Sequence, residues 1–203
     1  MKLTRRTFAM TGGAALALAA APRITRAQDV TAEAILFDPD GPVLGNPDGD
    51  VTLAEFFDYQ CPYCKRGHAD LLDLVAQDGG IRLVMKDWPI FGAASIRASQ
   101  LSLGFASLGQ YGAANAALMA TPGRLSEAMI AQTLADAGLD VSKAETAYRA
   151  DQGKWDAYLA RTDRQANALH LRGTPAYIIG STLYPGALER ADLEDAIKTA
   201  RSG

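Results

Sequence analysis

Cysteine and histidine each occur only twice in this chain of 203 residues. Two cysteines cannot build a disulfide-dense scaffold, and a chain of this length buries enough core without one. Positive charge is also scarce: 20 Lys and Arg face 23 Asp and Glu, giving a net charge of −3 and a pI near 5.4. The basic face that nucleic-acid binding needs is not supported, so no nucleic acid is expected as a partner. Long apolar runs are missing as well. The uncharged stretch from Gly12 to Ala21 is shorter than the roughly 20 residues of a spanning helix, and no other segment approaches that length, so the protein is not expected to be embedded in a membrane. What remains, 48% hydrophobic and 21% charged, describes one ordinary domain or one domain with an insertion. The cysteine pair is then incidental, a single staple, part of a metal site, or chemistry.

Residues 1–27 read as an export signal. Lys2, Arg5 and Arg6 give a positive start, the apolar stretch follows, and Thr25-Arg26-Ala27 offers small residues at the cleavage positions. Thr4-Arg5-Arg6-Thr7-Phe8 resembles a twin-arginine signal, the alternative being a general secretory signal with an incidental arginine pair. Either route leads out of the bacterial cytoplasm to the periplasm. Removing these residues takes away five basic and no acidic side chains, and leaves 176 residues with a net charge of −8.

The rest of the chain changes texture twice. Val43-Leu44, a cluster of turn formers from Gly45 to Asp50, and the β-branched and aromatic run from Val51 to Tyr59 predict a short strand, a turn and a central strand. A helix follows Cys61-Pro62 and stops at Gly79-Gly80, and Ile81 to Lys86 is a further strand. Strand, helix and strand make a right-handed βαβ unit. From Ala93 to about Leu171 the text is alanine-rich and predicts four or five short helices, broken near Gly109 to Gly112, at Thr121-Pro122-Gly123 and at Gly138-Leu139-Asp140, with Ser126 or Ser142 as caps. Strands at Ala176 to Ile179 and Thr182 to Tyr184 flank a Gly180-Ser181 hairpin turn, and a helix from Ala191 to Ala200 closes the chain.

Cys61-Pro62-Tyr63-Cys64 sits where a central strand hands over to a helix, the position that makes CxxC informative. Cys61 at the helix start faces unpaired backbone N–H groups, which lower its pKa below the free value of about 8.5 and make it the attacking sulfur. Cys64, one turn inside, is expected to be more buried and to resolve a mixed disulfide. Lys65 and Arg66 add positive charge a turn away and should favour the thiolate further. As a staple, so short a loop removes only about 2 kcal/mol of unfolded-state entropy, against about 4.7 for a long one. A zinc site would have to recruit His68 and His170, about 100 residues apart. Redox chemistry fits better, and no metal is expected.

Two further features carry chemistry. By strand alternation Glu55 shares a face with Val51, Leu53 and Phe57, so it is either a buried acid of raised pKa able to exchange a proton with Cys64, or an acid at a strand edge that reaches water. In Gly173-Thr174-Pro175-Ala176 a proline immediately precedes a strand. A cis bond there would expose the backbone of Thr174 to an extended peptide, whereas a trans bond makes Pro175 an ordinary turn residue.

The run from Glu55 to Cys64, with Gly173-Thr174-Pro175 far downstream, resembles the DsbA-like thiol:disulfide oxidoreductases of the thioredoxin superfamily. The resemblance implies an α/β thioredoxin fold with an α-helical insertion between the βαβ unit and the C-terminal hairpin and helix: residues 28–92 and 172–203 would form the thioredoxin domain and 93–171 the insertion. It implies that Cys61 is the nucleophile, Cys64 the resolving thiol, Glu55 the buried acid and Pro175 a cis-proline beside the disulfide, with no cofactor beyond the Cys61–Cys64 pair. Unfolded exported proteins with thiols would be the substrates, and a membrane-bound redox partner would reoxidise the pair. Thr174, Pro62, Tyr63 and Phe91 are the candidate substrate-binding residues. Trp88 and Ile90 are further candidates for an apolar groove, although a core role suits Trp88 and Phe91 equally. The strongest oxidants of the family carry Pro-His between the cysteines. Tyr63 here predicts a less extreme thiol pKa and a less oxidising couple. Pro-Tyr and a threonine before the proline are similar to reductase- and isomerase-type relatives, so a reductase or isomerase is the rival reading, and a redox-sensing chaperone of the same fold is another. The short stretch from Gln28 to Leu36 argues for a monomer and against a dedicated isomerase.

Overall fold

The computed structural model describes residues 30–202, so the export-signal reading of residues 1–27 lies outside the described residues. Five strands among them, β1 (Val43–Gly45), β2 (Val51–Phe57), β3 (Ile81–Asp87), β4 (Ala176–Ile179) and β5 (Thr182–Pro185), form one sheet in the order β1-β3-β2-β4-β5. β2 and β3 run parallel, joined by α2 (Pro62–Asp78), and the other neighbours are antiparallel. β2 is central because both its faces are apolar: Val51, Leu53 and Phe57 enter one core, Ala54 and Phe56 the other. It ends at Phe57, two residues earlier than its apolar run suggests, because Asp58 turns the chain, its carbonyl accepting from Cys61 N–H at 3.0 Å.

The larger core lies between the sheet, α2, α8 (Arg190–Ser202) and the helices of the middle segment. Those helices are α3 (Ala93–Ala106), α4 (Tyr111–Met119), α5 (Glu127–Asp136), α6 (Val141–Ala150) and α7 (Gln152–Ala168). α3 and α7, at 14 and 17 residues, are not short. Ser126 caps α5, its hydroxyl accepting from Met129 N–H at 3.2 Å, but Asp140 rather than Ser142 caps α6. Gly104 lets α3 press against α6, since a Cβ there would run into the Ala144 carbonyl.

The second face is covered by α1 (Ala32–Leu36), the end of α7 and the turn that follows it, which bury Ile35, Leu36, Ala166 and Leu171 against Phe56, Val84 and Ile178. Trp88 belongs to this second core, with its indole N–H donated to Asp163 at 3.0 Å, and its edge borders a hollow with Pro89, Ile96 and Leu159 that neither Tyr63 nor Phe91 lines. Lys86 and Asp38 are fully buried as an ion pair of 2.6 Å, and Arg161 of α7 adds bonds of 2.5 and 2.9 Å to Asp38. The partners meet Asp38's remaining acceptor sites, the condition for burying such a pair without a large penalty.

Candidate active site

β2 delivers Glu55 and then, past the Asp58 turn, Cys61 to the carboxyl end of the sheet. Asp58 builds the platform. Its buried carboxylate accepts from the backbone N–H groups of Gln60 (2.7 Å), Ile90 (2.7 Å) and Phe91 (3.0 Å) and from the Ser95 hydroxyl (2.7 Å). One carboxylate therefore ties the segment before Cys61 to the loop after β3 and to the start of α3. Gln60 adds a second tie, donating to the Phe91 carbonyl at 3.0 Å and accepting from Leu125 N–H at 3.3 Å.

Cys61 is the N-cap of α2, with Pro62 in the first turn, where its missing N–H costs nothing. Its sulfur accepts from Cys64 N–H at 3.4 Å, and as a thiol donates to the Thr174 carbonyl at 3.1 Å. The Cys61 thiol is held down at about 6 from an ordinary 9.0, first by the Cys64 side chain, then by Thr174 and the backbone N–H groups of Cys64 and Tyr63, against a burial penalty. Lys65 and Arg66 do not act as their sequence positions suggest. Lys65 donates to the Thr121 carbonyl (3.1 Å), the Thr121 hydroxyl (2.8 Å) and the Gly123 carbonyl (2.9 Å), and Arg66 lies 4.4 Å over the Tyr63 ring. The helix terminus and neighbouring donors, not these side chains, account for the low thiol.

Cys64 is buried beneath, and burial, the Cys61 side chain and the nearby Glu55 push its thiol far up. Glu55 is 1% exposed, on the same face as Leu53 and Phe57. Burial, and after it the negative charge of Cys61, push its carboxyl up to about 8, while a hydrogen bond from Tyr177 opposes them. Tyr177 stands directly opposite Glu55 in the β2–β4 register, a neighbour that sequence reading missed because register between distant strands is not written in either. The Oε2 atom of Glu55 is buried with no hydrogen-bond partner.

The Thr174–Pro175 peptide is cis and lies against Cys61. Tyr63 and Phe91 are exposed, at 57% and 48%, and Ile90 reaches solvent beside Phe91, so these aromatics are surface rather than core. His68 is buried in α2 and His170 lies exposed in the turn after α7. Among the described residues no group of three or more metal-ligating side chains comes together. The arrangement pairs an easily ionised sulfur with one that resists ionisation, one helical turn apart and beside a buried acid. It can exchange disulfides.

The model of the DSBA-like thioredoxin domain matches residues 52–198, which span β2 to α8. The chain belongs to this family. A thioredoxin-like oxidoreductase from Silicibacter pomeroyi DSS-3 superposes with a TM-score of 0.80 and 37% identity, over 85% of this chain and 99% of that one. The thiol-disulfide exchange protein alpha-DsbA2 from Wolbachia pipientis gives 0.78 and 26%, over 87% and 95%. A periplasmic thioredoxin-like protein from Salmonella enterica serovar Typhimurium gives 0.73 and 28%, over 84% and 95%. A stretch of 163 residues is also 26% identical to Na(+)/H(+) antiporter NhaA 1 of Mycobacterium sp. (strain KMS), but the chain spans only 26% of the length of that curated relative. No helix among the described residues is long and apolar enough to cross a membrane.

Proposed function

We propose that the protein is a periplasmic thiol:disulfide oxidoreductase that introduces disulfides into exported proteins through Cys61. The observation that carries this reading is the opposed state of the two sulfurs: Cys61 held at about 6, Cys64 pushed far up by burial. A stable Cys61 thiolate leaves readily from a mixed disulfide and stabilises the reduced pair, both properties of a disulfide donor. The family and the oxidoreductase neighbours support the chemistry, and the periplasmic neighbour and the signal-like residues 1–27 support the compartment.

A substrate thiolate attacks the Cys61 sulfur of the oxidised pair, the Cys61–Cys64 bond breaks, and a substrate–Cys61 disulfide forms. Cys64 departs and must be protonated at once. Glu55, with its carboxyl near 8, holds that proton at neutral pH. A second substrate thiolate then attacks the substrate sulfur of the mixed disulfide, closing the substrate disulfide and releasing Cys61 as thiolate. The substrate has lost two electrons to the cysteine pair, which needs no further cofactor. A membrane-bound redox partner takes those electrons and restores the pair. Cys61 is only 2% exposed, reached at the seam between Pro62 and the Thr174–Pro175 loop. Such narrow access suits an extended segment of an unfolded chain, whose backbone pairs with Thr174 and whose side chains meet Pro62, Tyr63 and Phe91.

Pro62-Tyr63 between the cysteines and Thr174 before Pro175 favour the rival direction, a reductase or isomerase. The test of the exchange chemistry, which both directions share, is Cys64→Ser in exporting cells. Substrate–Cys61 disulfides should accumulate and vanish in Cys61→Ser, whereas an absence of adducts with zinc co-purifying would overturn the enzyme reading.

A further inference from the structure

Beside the cysteine pair, a pocket of about 580 Å³ opens between the start of α2 and the segment joining α4 to α5. Its volume falls in the range of roughly 300–1,000 Å³ usual for ligand sites. Pro62, Phe91 and Met119 supply apolar wall, and Lys65, Arg66 and Arg124 supply charge, while no carboxylate lines it. Elsewhere the cations are mostly spent on acids: Arg97 on Glu145, Arg161 on Asp38 and Asp40, Arg190 on Glu194, Arg201 on Asp50 and Asp78. The three pocket cations are not. Lys65 is held by the neutral oxygens of Thr121 and Gly123, Arg66 rests on the Tyr63 ring, and Arg124 has no hydrogen bond or ion pair among the described residues. The acid whose field reaches Lys65 is Asp58, which is buried and already meets four donors. In a chain of net charge −3, a cationic pocket left without counter-charges beside the redox pair needs a partner to complete it.

We infer that this pocket receives the acidic side chains flanking the reactive cysteine of a polypeptide substrate, so that Lys65, Arg66 and Arg124 select acidic cysteine segments. The inference rests on the exchange function proposed above and names its substrate class. A polypeptide is favoured over a small anionic thiol because Arg66 also borders a second hollow, lined by Tyr63, Leu188 and Arg190, on the other side of the helix start. An extended chain crossing the Cys61 seam can occupy both hollows at once. The second one holds Asp70 and Glu189 besides its arginines, so the preference for acids belongs to the first alone. In the exchange step the peptide thiolate attacks Cys61, the Cys61–Cys64 bond breaks, the mixed disulfide forms and Cys64 takes up the proton. The cations change how often the thiolate arrives, not the balance of the step.

The oxidised protein is reacted with short peptides carrying a central cysteine flanked by glutamates or by lysines, and with mercaptosuccinate, each rate being divided by the probe's own thiolate fraction. At low salt the glutamate peptide should react about tenfold faster than the lysine peptide, and the ratio should approach one near 1 M salt, where screening leaves only about 3 Å of reach. Arg124→Glu should reverse the ratio, while Lys198→Glu, an equal charge change on exposed α8 surface, should leave it in place. Equal rates for the two peptides overturn the inference while leaving the exchange function standing. So does an equal effect of both variants, or the same advantage for mercaptosuccinate, which would make the occupant a small anionic thiol. If no probe reduces the protein, the exchange function itself fails and the inference fails with it.

Discussion

Glu55→Gln keeps the shape of the buried side chain and removes its ability to bind and release a proton. The wild-type carboxyl sits near 8 against an ordinary 4.5, first because it is buried and then because Cys61 is negative. The folded state therefore holds this proton more tightly than the unfolded chain does. The associated stability is fully present below about pH 4.5, declines across the window and is lost once the pH passes about 8, at about 1.4 kcal/mol per pH unit. By pH 7 the wild type has given up about 3 kcal/mol on this account. Asp87, pushed up to about 7 by burial, titrates in the same window, and His68, held down at about 4 by burial, acts oppositely on the acid side. The difference between variant and wild type isolates Glu55. Guanidinium unfolding curves at stepped pH should show the variant gaining on the reduced wild type by about 1.4 kcal/mol per unit from about pH 5 to 8 and levelling beyond. In the oxidised protein the Cys61 charge is gone, so the levelling should come at a lower pH. Parallel curves for the two proteins would refute both the burial argument and the proton-holding role.

Three other outcomes follow from the same reasoning. The Thr174 side chain helps to hold the Cys61 thiol down, although its buried hydroxyl makes no hydrogen bond in the resting structure; Thr174→Val should therefore raise that thiol in an ultraviolet thiolate titration, and an unchanged midpoint would show that the hydroxyl does not reach the sulfur. His68 buries two ring nitrogens without partners, so His68→Leu should stabilise the protein by about 1–2 kcal/mol at pH 7 and remove the loss of stability between about pH 6.5 and 4. Asp87 accepts from the Tyr111 hydroxyl at 2.7 Å, and Asp87→Asn should flatten the decline in stability on the way to about pH 7. Denaturation series at stepped pH check both, and an unaltered slope in either would count against its assignment.

Local placement was legible in the sequence where one residue's position depends on its immediate neighbours. The cysteines at a strand-to-helix handover, Glu55 on the Leu53–Phe57 face and the proline opening β4 all belong to that kind. What escaped depends on distant partners. Tyr177 meets Glu55 only through the β2–β4 register. Asp58 looks like a surface turn former, yet three elements converge on its carboxylate. Lys86, at the end of an apolar run, gives no hint that Asp38 and Arg161 wait to bury it. The break between α6 and α7 falls at Asp151 without glycine or proline to mark it. Lys65 misled for the opposite reason: adjacency to Cys64 in sequence says nothing of where a long side chain ends, and this one ends on Thr121 and Gly123.

The direction of electron flow is the central claim, and the equilibrium of the Cys61–Cys64 pair with defined glutathione mixtures tests it most directly. Stabilising the Cys61 thiolate at about 6 favours the reduced pair by about 1.4 kcal/mol at pH 7, or about 30 mV, relative to an unperturbed thiol. The account predicts a reduction potential between about −120 and −200 mV, the range of disulfide donors. A value of about −230 mV or lower, approaching the −270 mV or so of thioredoxin, would contradict it and make the protein a reductase.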